Sequence, residues 1–196
     1  MYRGVINLAI PNNATGLYVN VLDGSTFSGP AIFPTLGGPG ANFDFNLFGA
    51  TACTLFSPET SGQSAPTVPA ASKGYVSATE TGAVSNLAFG SLIDGSSVFN
   101  TVTPSGSALT TGGPALFGFR FRNEGPNLAS AADDTVHFGW ARVILSDNMP
   151  GTLVDYAFES IPLTGIQAGV VPEPSTYALF GAGLAGLLAW SRRLRS

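Results

Sequence analysis

The sequence predicts an all-β protein, an antiparallel β-sandwich or jelly roll, followed by a single C-terminal transmembrane helix. Glycine and proline are abundant, with 25 and 14 residues among 196, which is typical of short strands joined by frequent turns. Apolar and polar residues alternate in several short runs, as they do in strands with one buried face. An apolar segment lies near the C-terminus, with prolines before it and arginines after it.

Alternating residues mark the two clearest strands. Ala115–Arg122 places Phe117, Phe119 and Phe121 on one face, and Asn42–Phe48 alternates in the same way. This period of two predicts strands that are buried on one side. Further candidates recur about every ten residues, as in sandwiches and jelly rolls. They are Val5–Ile10, Leu17–Leu22, Tyr75–Ala78, Ala83–Phe89, Ser97–Val102, Val136–Leu145 and Thr152–Phe158.

The chain around the last strand allows two more predictions. Alternation within Thr152–Phe158 is expected to place Val154, Tyr156 and Phe158 on one face. Ile161–Val170 is predicted to be a linker between this strand and the C-terminal segment. No amphipathic helix is predicted before residue 172.

The charge pattern argues against nucleic acid as a partner. Only 10% of the residues are charged, and the net charge is −4. The basic residues before residue 172 are scattered, so none of them form a cluster that would neutralise phosphates. Cys53 is the sole cysteine, which excludes an intramolecular disulfide. We predict that Cys53 is a small buried hydrophobic residue, rather than a nucleophile paired with His137.

The C-terminal segment has three parts in a fixed order. It begins with an extended motif, because each proline fixes its own φ and keeps the preceding residue out of the helical region. Tyr177–Trp190, a run without a charge, follows, and a basic stop comes last. The motif is Val171, Pro172, Glu173, Pro174 and Ser175, and the basic stop is Arg192, Arg193 and Arg195.

The uncharged run has two interpretations. In a helix it rises about 21 Å, less than the ~30 Å hydrocarbon layer, and that length favours a core helix. The membrane interpretation is favoured because the run is apolar all round, has Tyr177 and Trp190 at its ends and is followed by arginines. By the positive-inside rule the arginines stay cytoplasmic, which places the N-terminal domain outside.

Small residues within the run are predicted to form a helix-packing face in the membrane, at Ala178, Ala182 and Gly186. The same stretch matches G-x-G-x-x-G over residues 181–186. A dinucleotide site needs a preceding strand and a βαβ unit. A proline-rich stretch precedes these glycines instead, so we predict no nucleotide cofactor.

The motif, apolar run and arginine cluster together resemble a PEP-CTERM sorting signal of exported bacterial proteins. In that family a membrane-embedded cysteine protease, the exosortase, recognises the motif, cleaves near it and passes the protein on to the surface. The resemblance implies Pro172, Glu173 and Pro174 as recognition residues. It also implies two partners, the membrane and an exosortase-type protease.

The remainder of the chain resembles, more loosely, the domains that precede such tails. The similar stretches are Val5–Pro11, Leu17–Val21, Phe117–Glu124, His137–Arg142 and Leu153–Tyr156. In those domains a signal peptide precedes the stretch that matches Tyr2–Pro11, so the resemblance implies a true start upstream of Met1. We therefore divide the chain into an exported β-sandwich domain (1–160), a linker (161–170) and a sorting signal (171–196).

Candidate chemistry in the body is sparse. A serine hydrolase would use His137, the sole histidine, with Asp133 or Asp134 as its orienting acid. No G-x-S-x-G elbow occurs, and we predict a packing role for His137 near Trp140. One histidine and one cysteine also exclude a zinc site of ordinary composition, so no metal is predicted.

Carboxylates and arginines leave an alternative open. Paired carboxylates could cleave glycosides. Arg120 and Arg122, on the face opposite the phenylalanines, would either bind a sugar acid or form a solvent-exposed face of the sheet. Calcium would use the same oxygens, but no D-x-D-x-D-G loop occurs. The candidate carboxylates are Asp44, Glu124, Asp133, Asp134, Asp155 and Glu159.

We expect a non-enzymatic exported protein, without catalytic residues or cofactor, that is structural or adhesive at the surface or in the extracellular matrix. The alternative is a carbohydrate-binding or carbohydrate-cleaving domain with an extracellular polysaccharide as partner.

Overall fold

Twelve strands pair in three antiparallel sheets in a computed structural model, which describes residues 1–13, 16–27, 45–48, 54–56, 74–100, 107–123, 134–145 and 151–171. The strands are β1 Leu8–Ile10, β2 Leu17–Val19, β3 Thr26–Phe27, β4 Phe45–Phe48, β5 Thr54–Phe56, β6 Gly74–Val76, β7 Leu92–Ile93, β8 Phe99–Asn100, β9 Pro114–Asn123, β10 Thr135–Ile144, β11 Gly151–Phe158 and β12 Ile166–Gln167. The predicted all-β, antiparallel class is thereby confirmed for these residues.

The largest sheet has six strands in the order β1-β11-β10-β9-β6-β8. A four-stranded sheet, β3-β2-β4-β5, shares one hydrophobic cluster with it. The third sheet is a two-stranded ribbon of β12 and β7, whose isoleucines join a second cluster with Phe138 and Trp140 of β10. Strand β10 therefore contributes to two separate cores, one on each face of the large sheet.

Alternation in β9 agrees with the prediction for Ala115–Arg122. Phe117, Phe119 and Phe121 are buried in the core shared with the four-stranded sheet. Successive side chains of a strand point to opposite faces, so Arg120 and Arg122 belong to the other face of the sheet. The predicted one-sided strand is nevertheless covered on both sides, since Arg122 is buried as well.

Gly139 allows β10 to lie against a bulky neighbour. It is opposite Phe119 in the register of β9 and β10, and a Cβ built on it would overlap the ring of Phe119 and lie 2.8 Å from the carbonyl oxygen of Ala157. A ring and a backbone carbonyl cannot move aside cheaply in a packed core. Glycine is therefore the residue that fits at this position.

A β-bulge changes which residues of β11 face the core. Arg142 is opposite Asp155, yet the next residue of β10 is opposite Leu153, so Val154 is the extra residue of the bulge. Leu153 is fully buried and Val154 is only half-buried. The prediction that Val154 shares a face with Tyr156 and Phe158 is wrong, because alternation breaks at a bulge.

Several strands differ from the predicted ranges. Strand β1 begins at Leu8 rather than Val5, and the described residues of Ala83–Phe89 form only isolated bridges at Val84. The short strands β3, β5, β7 and β12 were not predicted, since two or three residues are too few to show a period. Strand β4 covers Phe45–Phe48 of the predicted Asn42–Phe48, and residues 42–44 lie outside the described ranges.

Within the part of the chain that the structure describes, there is no helix long and apolar enough to cross a bilayer. The predicted transmembrane helix, Tyr177–Trp190, lies outside the described residues.

Substituting Gly139 tests the close approach of β10 to Phe119. We expect Gly139→Ala to lower the free energy of unfolding by about 1–3 kcal/mol, as overpacking a core does. Urea unfolding of the full chain in detergent, followed by tryptophan fluorescence, measures the loss. Gly95→Ala is the matched control, because a Cβ on Gly95 meets nothing within 4 Å. Equal effects of the two substitutions would contradict this account.

Candidate functional site

The chain reaches the C-terminal segment through the β7–β12 ribbon. Ile166 is opposite Ile93 in the ribbon, and both are buried. The amide of Ala168 donates to the carbonyl of Ser91 at 2.8 Å, and Ala168 is itself fully buried. The stretch predicted to be a linker over 161–170 is therefore packed on the body, because Ile166 and Ala168 fill the second core.

Trp140 holds the last residue of this stretch. Its indole is fully buried, and Nε1 donates to the carbonyl of Val170 at 3.1 Å. A buried indole N–H needs such an acceptor, because leaving it unpaired costs free energy. The ring of Tyr2 lies 6.3 Å from that of Trp140, and the guanidinium of Arg142 lies 5.7 Å from it. We call this arrangement the exit anchor.

Val171, the first residue of the predicted motif, is the next residue and is exposed. The motif therefore begins directly beyond a fixed point on the folded body. The other predicted residues of the C-terminal segment lie outside the described residues. They are Pro172, Glu173, Pro174 and Ser175, the packing residues Ala178, Ala182 and Gly186, and the basic residues Arg192, Arg193 and Arg195.

A charged cluster lies beside the exit anchor. Asp155 is 1% exposed, and it accepts two hydrogen bonds from Arg142, at 2.8 Å from Nε and 2.6 Å from Nη2. The hydroxyl of Tyr2 donates to the same carboxylate at 2.9 Å. Hydrogen bonding to Asp155 raises the pKa of Arg142, and burial followed by that hydrogen bond raises the pKa of Tyr2. The cluster joins the N-terminal segment to β10 and β11.

The arginines of β9 have separate surroundings. Arg120 lies over the ring of Phe99, with 4.3 Å between its Cζ and the ring centroid, and burial lowers its pKa. Arg122 forms an ion pair with Asp134 at 2.9 Å. Both arginines therefore make close contacts on the face opposite the phenylalanines, rather than only solvating the sheet.

His137 is engaged at both ring nitrogens. Nδ1 lies 2.8 Å from the carbonyl of Glu159, and Nε2 lies 2.8 Å from the hydroxyl of Thr135. Since a carbonyl only accepts, Nδ1 donates to Glu159, and Nε2 is the nitrogen that faces the hydroxyl of Thr135. The ring also stacks on Phe121 at 5.4 Å. These contacts agree with the packing role predicted for His137.

Carboxylates are dispersed among the described residues. Glu159 accepts from the amide of Ile161 at 3.1 Å, while Asp155 and Asp134 pair with arginines. Across the described ranges, no three His, Cys, Asp or Glu residues come together to hold a metal ion. The remaining predicted candidates lie outside those ranges, namely Asp44, Cys53, Glu124 and Asp133.

Comparison with known proteins settles the identity of the C-terminal segment. Residues 170–193 match the family described as the PEP-CTERM protein-sorting motif. The chain carries a PEP-CTERM motif. This motif implies an exported protein that is targeted by an exosortase and is anchored to the membrane transiently before processing. No curated protein and no solved structure matches the chain.

The exit anchor is not predicted from the sequence, although one sequence pattern indicates part of it. The predicted strand Val136–Leu145 is apolar on both faces. Phe138 and Trp140 lie on one face, and Ala141 and Val143 lie on the other. A strand that is apolar on both faces needs a cover on each side. The cover itself, Ile166 to Ala168, is too short to be recognised by periodicity.

Weakening the exit anchor should loosen the stretch before the PEP-CTERM motif. Trp140→Phe keeps an aromatic ring but removes the hydrogen bond to Val170, which contributes about 1–2 kcal/mol. We expect the amide of Ala168 to exchange hydrogen about tenfold faster. Ser77→Ala is the control, since Ser77 donates to the carbonyl of Thr79 elsewhere. Unchanged exchange at Ala168 would show that the indole does not hold this stretch.

Replacing only one partner of the Arg142–Asp155 pair should lower the free energy of unfolding. Losing one partner of a buried pair costs about 3–5 kcal/mol. Because the side chain of Arg142 is 33% exposed, we expect about 2–3 kcal/mol for Arg142→Met, after screening by water. The double variant Arg142→Met/Asp155→Leu should recover part of this stability in urea unfolding. A double variant less stable than Arg142→Met would contradict the proposed cause.

Proposed function

We propose that this protein is a non-enzymatic structural or adhesive component of the cell surface or extracellular matrix, delivered there by its PEP-CTERM motif. The sorting motif supports the destination, and the character of the described body supports the role. The observation that supports this role is that the described aromatic and acidic residues mainly stabilise the fold itself.

Aromatic residues in the described body are mainly core residues. Carbohydrate sites usually present aromatic side chains in an exposed cleft together with a few polar groups. Here the large aromatic side chains that are almost fully buried are Trp140, Tyr75, Tyr156, Phe117, Phe119, Phe121 and Phe138. Their burial supports a stable, ligand-independent fold.

Most of the acidic residues that the structure describes form ion pairs with arginines or accept hydrogen bonds within turns. The amide of Ser25 donates to Asp23 at 2.7 Å, and the amide of Ser96 donates to Asp94 at 2.9 Å. Hydrogen bonds from these serines lower the pKa of both carboxyl groups. A glycosidase instead needs two carboxyl groups about 5–9.5 Å apart across a cleft, one of them with a raised pKa. The described carboxylates favour the structural role.

The alternative function is binding or cleavage of carbohydrate, with extracellular polysaccharide as the partner. One observation favours it, the guanidinium of Arg120 over Phe99 on the face of the sheet opposite the main core. A planar cation beside a ring can contact an acidic sugar. Pull-down of the full chain in detergent by acidic polysaccharide distinguishes the two functions. Capture that is weakened by Arg120→Gln would support the alternative, and no capture would support the structural role.

We further propose the membrane arrangement of the PEP-CTERM segment. Residues 177–190 enter the bilayer as a single helix, with Ala178, Ala182 and Gly186 as its packing face and Arg192, Arg193 and Arg195 on the cytoplasmic side. In this arrangement the β-rich body, a sandwich, faces the outer side. Pro172, Glu173 and Pro174 are the residues that the exosortase contacts.

Processing at the PEP-CTERM motif is testable by intact mass. In cells with the exosortase we expect the chain to lose its C-terminal residues, whereas cells without it should keep a chain that ends at Ser196. Replacing Pro172, Glu173 and Pro174 by alanine should block the loss, and Pro162→Ala, outside the motif, should not. A chain that reaches Ser196 in both strains would contradict the proposal.

A further inference from the structure

Several exposed apolar side chains belong to the ribbon at the end of the folded body or lie close to it in sequence. Phe89 is 74% exposed, Leu92 60%, Ile161 61% and Leu163 71%, and Val171 is exposed as well. Single exposed apolar residues are common on protein surfaces. These five belong to the β7–β12 ribbon and to the turns on either side of it, and we call them the exit patch.

Contacts within the ribbon connect two members of the exit patch, Phe89 and Leu92, to residues 165–169. A Cβ built on Gly169 would lie 2.8 Å from the ring of Phe89, and one built on Gly165 would lie 3.1 Å from Cδ1 of Leu92. Both side chains therefore lie directly on the chain that leads to Val171. Leu92 is opposite Gln167 in the ribbon, and both are exposed, whereas the neighbouring Ile93 and Ile166 face the second core.

The PEP-CTERM motif limits how far this face can be from the membrane. Six peptide steps separate Val171 from Tyr177, and they span at most about 20–22 Å when fully extended. A domain of this length has a diameter of about 40 Å. Because the exit anchor holds Val170 on the body, the tether is too short for the exit patch to lie on the side away from the bilayer.

We propose that the exit patch docks on the lipid surface while the PEP-CTERM segment is still attached, so that the body has one fixed orientation before processing. The occupant is the zwitterionic lipid interface, into which an apolar face can sink about 5–10 Å. This inference rests on the proposed membrane position of residues 177–190.

Charge beside the exit patch supports a neutral lipid partner. The Cβ of Asp94 would lie 3.1 Å from a Cβ on Gly165, so a carboxylate borders Leu92. Such a carboxylate repels anionic headgroups, and docking therefore depends on apolar burial. Apolar burial is insensitive to salt, in contrast to attraction between a basic surface and anionic lipid.

Depth-dependent quenching in vesicles tests the docking. The full chain carries Cys53→Ser and one new cysteine, at Leu92 in the exit patch or at Ser25 in the turn between β2 and β3, and each cysteine bears a polarity-sensitive fluorophore. Phosphatidylcholine vesicles contain or lack nitroxide on their acyl chains. We expect the nitroxide to lower emission at position 92 at least about twofold, because that side chain lies in the interface, and to leave emission at position 25 unchanged.

Substitutions within the exit patch identify its contribution. Phe89→Ser/Leu163→Ser should remove most of the quenching at position 92, since each buried apolar side chain contributes about a tenfold change in partitioning. Val5→Ser, which removes an exposed apolar residue at 66% exposure outside the exit patch, should leave the quenching intact.

Flotation of the vesicles separates the outcomes. A chain that floats with the vesicles but is quenched equally at positions 25 and 92, or at neither, overturns the docking and leaves the membrane segment intact. A chain that does not float overturns both. Concentration-dependent self-quenching at position 92 without quenching by lipid assigns the exit patch to a second copy, and it also overturns the docking.

Discussion

Strands β9, β10 and β11 bury both of their faces, and each face needs its own cover. The four-stranded sheet covers the face with Phe117, Phe119 and Phe121, where the larger core forms. The β7–β12 ribbon covers the opposite face around Trp140. A chain with so few charged residues has little polar surface to offer, so burial on both faces is the arrangement that removes its apolar side chains from water.

The second cover gives the sorting motif a fixed position. Without the ribbon, Trp140 would be exposed to water and its indole would not hold Val170. With it, the chain is held up to the residue before the motif, and the charged cluster of Arg142, Asp155 and Tyr2 stiffens the neighbouring strands. Core packing and presentation of the PEP-CTERM motif therefore depend on the same tryptophan.

Periodicity in the sequence predicts the long strands but not their partners. β9 and β10 match Ala115–Arg122 and Val136–Leu145 closely, since an alternating or largely apolar run of eight to ten residues between turn residues is a clear signal. β7 and β12 have two residues each, and their pairing is set by long-range contacts that no local pattern contains. The bulge at Val154 is invisible for the same reason, because it depends on the register with Arg142.

The sorting motif could be found from sequence alone, because its parts are contiguous and each is chemically distinctive. The exit anchor could not, because Trp140 and Val170 are thirty positions apart. The same separation explains why the arginines of β9 were hard to assign, since Arg120 meets Phe99 from another strand.

The two-residue ribbon also determines how the protein responds to mechanical force. Tension on the C-terminal segment enters the body at Val170, where the hydrogen bond from Trp140 and then the short pairing of β12 with β7 resist it. Strands at the edge of a short ribbon peel apart one bond at a time, whereas β9, β10 and β11 are joined by long ladders. We therefore expect the ribbon to detach under a pull before the six-stranded sheet unfolds.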